Sequence, residues 1–315
     1  MTGAGADQRI RSLRSPKPYV DPFKAHGFLI EEERRPNGRS ERALTVFLAG
    51  AECPFTCSFC DLWRFTIDGP TRPGALVAQL RSVLHELDGP LPERLKLYNA
   101  SNFFDLRSVP LEDMSGIAGL ATDFAAVTVE SHANTIGPKV LEFARQIAGR
   151  LEVAVGLETI HPQAIAKLNK RLELSRFRSA AQFLSENGID LRTFVLLGTP
   201  YVSVEDSVEW TVRSVEYAVA AGAGVVSIVP LRPGNGELER LRRLGDFTPP
   251  TLSQLEQTLE RCLQLTEAVV TVDLWDSHLL AACEHCRAKR TERLARVNLA
   301  GRAEPLISCA HCSSA

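Results

Sequence analysis

Short apolar runs alternate along the chain with stretches of helical spacing. The first run, ALTVFLA at residues 43–49, is continuous and rich in β-branched side chains, the pattern of a buried strand. Residues 73–87 (PGALVAQLRSVLHEL) carry helical spacing and stop at Asp88-Gly89-Pro90. Strand patterns recur at 94–99 (RLKLYN), 126–131 (AVTVES), 151–158 (LEVAVGLE), 190–198 (DLRTFVLLG) and 224–231 (GVVSIVPL). Helical patterns fall between them at 112–124, 138–149, 162–168, 176–187 and 204–221. About six strand–helix units of this kind predict a parallel sheet with right-handed crossovers. They suit an α/β fold, a partial (β/α)6 TIM-like barrel, better than a closed eightfold one. In such barrels the reactive groups lie on loops leaving the C-terminal ends of strands.

The pattern divides the chain into three. Residues 1–40 form an N-terminal extension, mixed in Gly, Ser, Pro and Arg and expected to be partly disordered, with a turn at Pro36-Asn37-Gly38. Residues 41–245 form the core barrel. Residues 246–315 hold a helix starting near Pro250 or Thr251, a strand candidate at 268–275 and a small cysteine-rich metal-binding tail.

Composition narrows the setting. Of 315 residues, 44% are hydrophobic and 23% charged, and the formal net charge is −2, so no strong field draws the molecule to nucleic acid or anionic lipid. No apolar run reaches the length of a membrane span, and the first residues lack the apolar core of a secretory signal. A cytoplasmic location without membrane contact is expected. There thiols stay reduced, and clustered cysteines point to metal or redox chemistry.

The stretch AGAECPFTCSFCDLWRFT follows the first strand and places Cys53, Cys57 and Cys60 in a Cys-x3-Cys-x2-Cys spacing, with Phe59 before the last. A cubane iron–sulfur cluster takes four ligands, so three thiolates leave one iron open, the logic of a catalytic metal site. A zinc site or incidental buried thiols are the competing reading. The full spacing, the aromatic and the position after a strand favour the cluster.

This motif resembles the signature of the radical S-adenosylmethionine (SAM) superfamily. The resemblance implies catalytic roles for Cys53, Cys57 and Cys60 as ligands of a [4Fe-4S] cluster. It implies that SAM chelates the fourth iron and that an electron from the cluster cleaves the sulfonium to a 5′-deoxyadenosyl radical. It also implies an electron-donor protein such as a flavodoxin or ferredoxin. Phe59 counts among the cofactor-binding positions. Many members carry Gly-Gly-Glu after the second strand. Here Asn99-Ala100-Ser101 aligns with it, and amide, hydroxyl or backbone oxygens must replace the missing acid. Glu130, at the tip of the next strand, is assigned to the SAM amino or ribose groups. The segment VGLETIHPQAIAKLNKR matches a further family motif. It puts Glu158 on the ribose hydroxyls and Lys170, or alternatively Arg171, on the SAM carboxylate. Trp63, Asn102, Phe104, Asp105 and His132 are candidates to face substrate.

The segments KLYNASNFFD, VESHA, VGLET, LNKRLEL, FVLLGTPYVS and IVPLRPGNGELERL look like the branch of the elongator catalytic subunit and the archaeosine-forming radical SAM enzymes. That likeness suggests a tRNA or other modified nucleoside as substrate, with RNA as a partner. Small-molecule or peptide biosynthesis is the alternative within the class, and a non-catalytic metal- or RNA-binding module on a degenerate barrel is the alternative outside it. In the tail, Cys283/Cys286 and Cys309/Cys312 form two Cys-x2-Cys pairs with 22 residues between them. Four thiolates make a closed zinc site, the preferred reading, or hold an auxiliary iron–sulfur cluster. His285 and His311 are substitute ligands. Arg287, Lys289, Arg290, Arg293 and Arg296 on the insert are the best local candidates for touching phosphate, against the plainer reading of a solvated helix face.

Overall fold

In the computed structural model, which describes residues 3–312, eight strands form one sheet whose spatial order is the chain order. They are β1 (Gly27–Arg34), β2 (Ser40–Phe47), β3 (Arg94–Tyr98), β4 (Ala126–Ser131), β5 (Arg150–Glu158), β6 (Asp190–Leu197), β7 (Val225–Pro230) and β8 (Val269–Val272). β1 runs antiparallel to β2, and every later pair is parallel. The helices Ala75–Glu86, Leu111–Leu120, Pro138–Gln146, Leu174–Glu186, Ser207–Ala220 and Leu252–Leu265 carry the crossovers. The six expected units are therefore β2 to β7, each with its following helix. β1 and β8 widen this partial barrel at its two edges.

Side chains alternate across each strand, so one face meets the helices and the other lines the barrel. Leu44, Val46, Leu95, Leu97, Val127, Val129, Val153, Val155, Val195 and Leu197 face the helices in one continuous core. The opposite face is charged at its lower end. There Glu152 accepts from Arg35 at 2.6 Å and from Arg192 at 3.0 Å, while Arg192 also reaches Glu33 at 2.8 Å. Lys96 bonds Glu31 at 2.8 Å and also pairs with Glu33. Burial alone would raise the Glu33 carboxyl, but Arg192 and Lys96 outweigh it and hold it down to about 2. The strands read as apolar in sequence, yet their inward positions fill the barrel with paired charge.

Both ends of the chain close on this sheet. The helix Gly3–Ser12 occupies the stretch in which the pattern gave no element. It lacks an apolar stripe, with Ile10 as its buried core residue. The helix Arg287–Ala300 packs on both edge strands, β1 and β8. Its Asn298 amide donates to the Val272 carbonyl and accepts from the Val272 N–H, each at 2.9 Å, and Arg34 of β1 donates to the Ala300 carbonyl. Among the described residues no helix is long and apolar enough to cross a membrane.

Candidate active site

The loop after β2 carries the three thiols at the C-terminal end of the first parallel strand. It is pinned from several sides. Ser58 N–H donates to Leu168 O at 2.9 Å, and Asn235 donates through its amide to Ser58 O at 2.9 Å. Asn169 donates to Thr56 O at 2.8 Å. Cys53, Cys57 and Cys60 line one small cavity with Arg14, Glu52, Phe55, Trp63 and Ala100. The Asn102 amide lies 3.3 Å from Cys53 Sγ. Burial pushes the Cys57 thiol up to about 12 and raises Cys53 and Cys60 as well. Thiolates therefore form here only beside a cation, which is the effect of a bound metal.

The Asn99–Ser101 turn leaves β3 beside that loop, with Ala100 in left-handed backbone at φ 54°. Glu130, at the end of β4, accepts the Asn99 N–H at 2.7 Å. Burial raises the Glu130 carboxyl to about 7, against the pull of the Asn99, Ala100 and Ser101 backbone donors. Glu130 is therefore taken up by the backbone of the turn. Asn99 Oδ1 and Ser101 Oγ are buried and have no hydrogen-bond partner among the described residues. Unmet acceptors of this kind are costly and point to a donor that binds there.

Glu158 ends β5 beyond a register shift and sits at φ 68°, a strained position for a side-chain-bearing residue. Its Oε1 accepts from Lys170 Nζ at 2.8 Å, and both residues are buried. Gly156 makes room for the pair, since a Cβ there would stand 2.1 Å from Glu158 Oε1 and 2.8 Å from Lys170 Nζ. Burial opposes the charge on Lys170, but Glu158 and the nearby thiols outweigh it and raise its pKa. His132 stacks on Phe55 at 4.2 Å, accepts the Asn134 N–H on Nδ1 and so donates from Nε2 to the Lys170 carbonyl at 3.1 Å. Burial, then Lys170, lowers His132 to about 3, so the ring stays neutral.

No protein-family model matches the chain. The archaeosine synthase subunit beta of Methanosarcina acetivorans is 25% identical over 237 residues, which is 71% of this chain and 68% of that protein. Among solved structures, methylornithine synthase matches at a TM-score of 0.55 and 14% identity, over 95% of this chain and 74% of that one. The Elp3 of the archaeon Methanocaldococcus infernus, with its N-terminus deleted, matches at 0.51 and 12% identity, over 71% of this chain and 58% of that one. The solved structures share this chain's fold. The cysteine loop resembles that of the radical SAM enzymes, a class that uses SAM and an iron–sulfur cluster.

The residues fit both groups. The three thiols share one cavity with Ala100 of the turn whose Asn99 and Ser101 oxygens have no partner among the described residues. Thiols and oxygens of this kind are what a cluster and an ammonium group take. Arg171 lies elsewhere. Its side chain is 48% exposed and bonded to Asp7, while Lys170 points inward. Phe59 packs with Leu196, Leu231 and Leu238 in a satellite apolar cluster, whereas Phe55 and Trp63 line the thiol cavity. Phe104 is 2% exposed and meets Phe103 and Phe143 edge-to-face in the main core. Asp105 caps its own turn through Arg107 N–H. Sequence reasoning missed Phe55, Asn235, Asn169 and Asp7. Asn169 and Asn235 had carried a signal, lying inside LNKR and RPGNGE. A larger cavity, about 530 Å³, opens at the far end of the sheet, where Arg35, Arg94, Glu152 and Asp190 line it as paired charges.

The tail brings Cys283, Cys286, Cys309 and Cys312 together with all four sulfurs within 4.8 Å of one another. His285 and His311 stack at 3.9 Å. The basic insert is largely engaged inside the molecule. Arg293 is 1% exposed and pairs with Glu256 and Glu260, Arg290 pairs with Glu256, Arg296 with Glu304, and Arg287 donates to the His278 and Leu280 carbonyls.

Proposed function

We propose that this chain cleaves SAM reductively at Cys53, Cys57 and Cys60 and uses the resulting radical to take hydrogen from a substrate held on the barrel's inner face. The single observation that carries this is the convergence of Cys53, Cys57 and Cys60 on one cavity that Ala100, in the Asn99–Ser101 turn, also lines. When bound, the [4Fe-4S] cluster supplies one electron to the SAM sulfonium, giving methionine and a 5′-deoxyadenosyl radical that abstracts hydrogen. The protein does the positioning. Asn99 Oδ1 and Ser101 Oγ accept from the SAM amino group, Glu130 holds their turn rigid, and Lys170 meets the carboxylate. Glu158 receives the ribose hydroxyls. Phe55 and Trp63 keep water from the thiols. The electron comes from a small donor protein of the flavodoxin or ferredoxin kind, and eight free thiols support a reducing, cytoplasmic setting.

The relative named archaeosine synthase subunit beta supports an RNA or modified nucleoside as substrate. Ion pairs and carbonyl bonds engage Arg287, Arg290, Arg293 and Arg296, and leave Lys289 and part of Arg296 exposed, which favours keeping a small-molecule or peptide substrate as the second reading. Anaerobic reconstitution with iron and sulfide, followed by assay for 5′-deoxyadenosine with and without SAM, tests the class. Wild-type protein that binds iron but releases no 5′-deoxyadenosine under reduction would overturn it.

The tail thiols are assigned a metal separate from the reacting cluster. Four sulfurs about 2.3 Å from one central ion stand about 3.8 Å apart. Cys283 to Cys309 is 3.9 Å and Cys286 to Cys312 is 3.8 Å. Thiolates on the separate irons of a cubane must stand farther apart, so the spacing supports one tetrahedral zinc ion.

A further inference from the structure

The helix Gly3–Ser12 is held by polar bonds rather than by an apolar face, and those bonds converge on the thiol loop. Asp7 accepts from Thr56 Oγ1, from Asn169 Nδ2 at 2.8 Å and from Arg171. Thr56 lies between Cys53 and Cys57, while Asn169 and Arg171 flank Lys170. One carboxylate therefore ties together the two loops that carry the site. Asn169 and Arg171 sit at φ 55° and 58°, left-handed backbone that persists only where surrounding bonds hold it. Burial alone would raise the Asp7 carboxyl, but the three donors outweigh it and hold it below the usual range. Just past the helix, Arg14 pairs with Glu52 at 2.7 Å and lies 4.8 Å over the Trp63 ring, and all three line the thiol cavity. Arg9 anchors the same helix to Glu237 at 3.1 Å.

We propose that Asp7 is a positioning residue that fixes Thr56 against the Asn169–Arg171 turn, and that the N-terminal helix thereby holds the thiol loop in place from outside. The inference rests on the reading of Cys53, Cys57 and Cys60 as the reacting centre. Its first test does not depend on that reading.

Hydrogen exchange is followed in the full-length chain as purified, with its tail metal kept and before iron and sulfide are added, for Asp7→Ala, Asp7→Asn and Arg11→Ala, the last an exposed position on the same helix. In Asp7→Ala, amides of residues 52–60 and 168–171 exchange about tenfold faster, the effect of losing bonds to a charged acceptor. Asp7→Asn, which keeps one acceptor oxygen, lies between, and Arg11→Ala matches wild type. In the reconstituted protein, Asp7→Ala binds the same iron, its cluster absorbance bleaches several-fold faster in air, and KM for SAM rises more than kcat falls. Exchange that quickens only in residues 3–14, or loops in Asp7→Ala that match Arg11→Ala, would overturn the proposal. If wild type makes no 5′-deoxyadenosine yet both loops loosen together, the catalytic reading fails and the positioning role stands.

Discussion

The two cysteine sites of this chain are built on opposite plans. The tail thiols face one another across less than 5 Å and number enough to close a four-coordinate site by themselves. The loop thiols are one short of a set, and their surroundings are unfinished in the same sense, with two buried oxygens that have no partner and a Lys170–Glu158 pair close by. A closed site spends its donors on the metal and asks nothing of its neighbours. An open site carries its incompleteness outward into the residues around it, where it can be recognised even without a ligand.

Substitutions at each site should separate the two plans. Cys60→Ala is expected to abolish 5′-deoxyadenosine formation while leaving the proposed tail zinc at its wild-type level, measured by metal analysis beside the SAM assay. Cys286→Ala should do the reverse. It should lose the zinc and lower the melting temperature on the order of 10 °C, while iron binding and SAM cleavage persist at low temperature. Equal loss of SAM cleavage in both variants would erase the distinction. Ser101→Ala probes the unfinished surroundings. It should raise KM for SAM several-fold, yet leave stability unchanged or up by about 1 kcal/mol, because the hydroxyl it removes is buried without a bond. A clear loss of stability would show that the hydroxyl is already satisfied.

The smallest effect concerns pH. Glu130 is raised to about 7 from 4.5, so the folded chain holds a proton there that the unfolded chain has released. Its contribution to the stability of the metal-free protein is present below 4.5 and is lost as pH rises toward 7. Glu130→Gln should flatten that stretch of the profile. Glu33 works the other way, since its carboxyl is lowered to about 2 and its contribution is lost as pH falls from 4.5 to that value. Denaturation midpoints across both windows distinguish the two carboxylates.

Much of the frame was legible in sequence because it repeats. Six buried strands and their helices announce themselves by period, and strand 126–131 was read with the bounds it has. The cysteine spacing is local and was equally plain. Contacts that depend on two distant segments were not readable. Nothing near Asn99 shows that Glu130 takes up the backbone of its turn, or that Arg171 is occupied by Asp7. The ion pairs of the tail arginines were hidden for the same reason, because Glu256, Glu260 and Glu304 reach them only in three dimensions. The N-terminal helix was invisible because its hold is polar and long-range, while pattern reading registers apolar stripes.

One contact in the tail has a consequence for handling the protein. Asn298 offers Val272 a donor and an acceptor, as a neighbouring strand would, and so caps the rim of β8 with a side chain. The helix that delivers Asn298 begins directly after Cys286. Stripping the tail metal should therefore bare a pairing-competent strand edge, and the first visible sign should be self-association into aggregates that grow with protein concentration, with the chemistry of the distant thiol loop still intact.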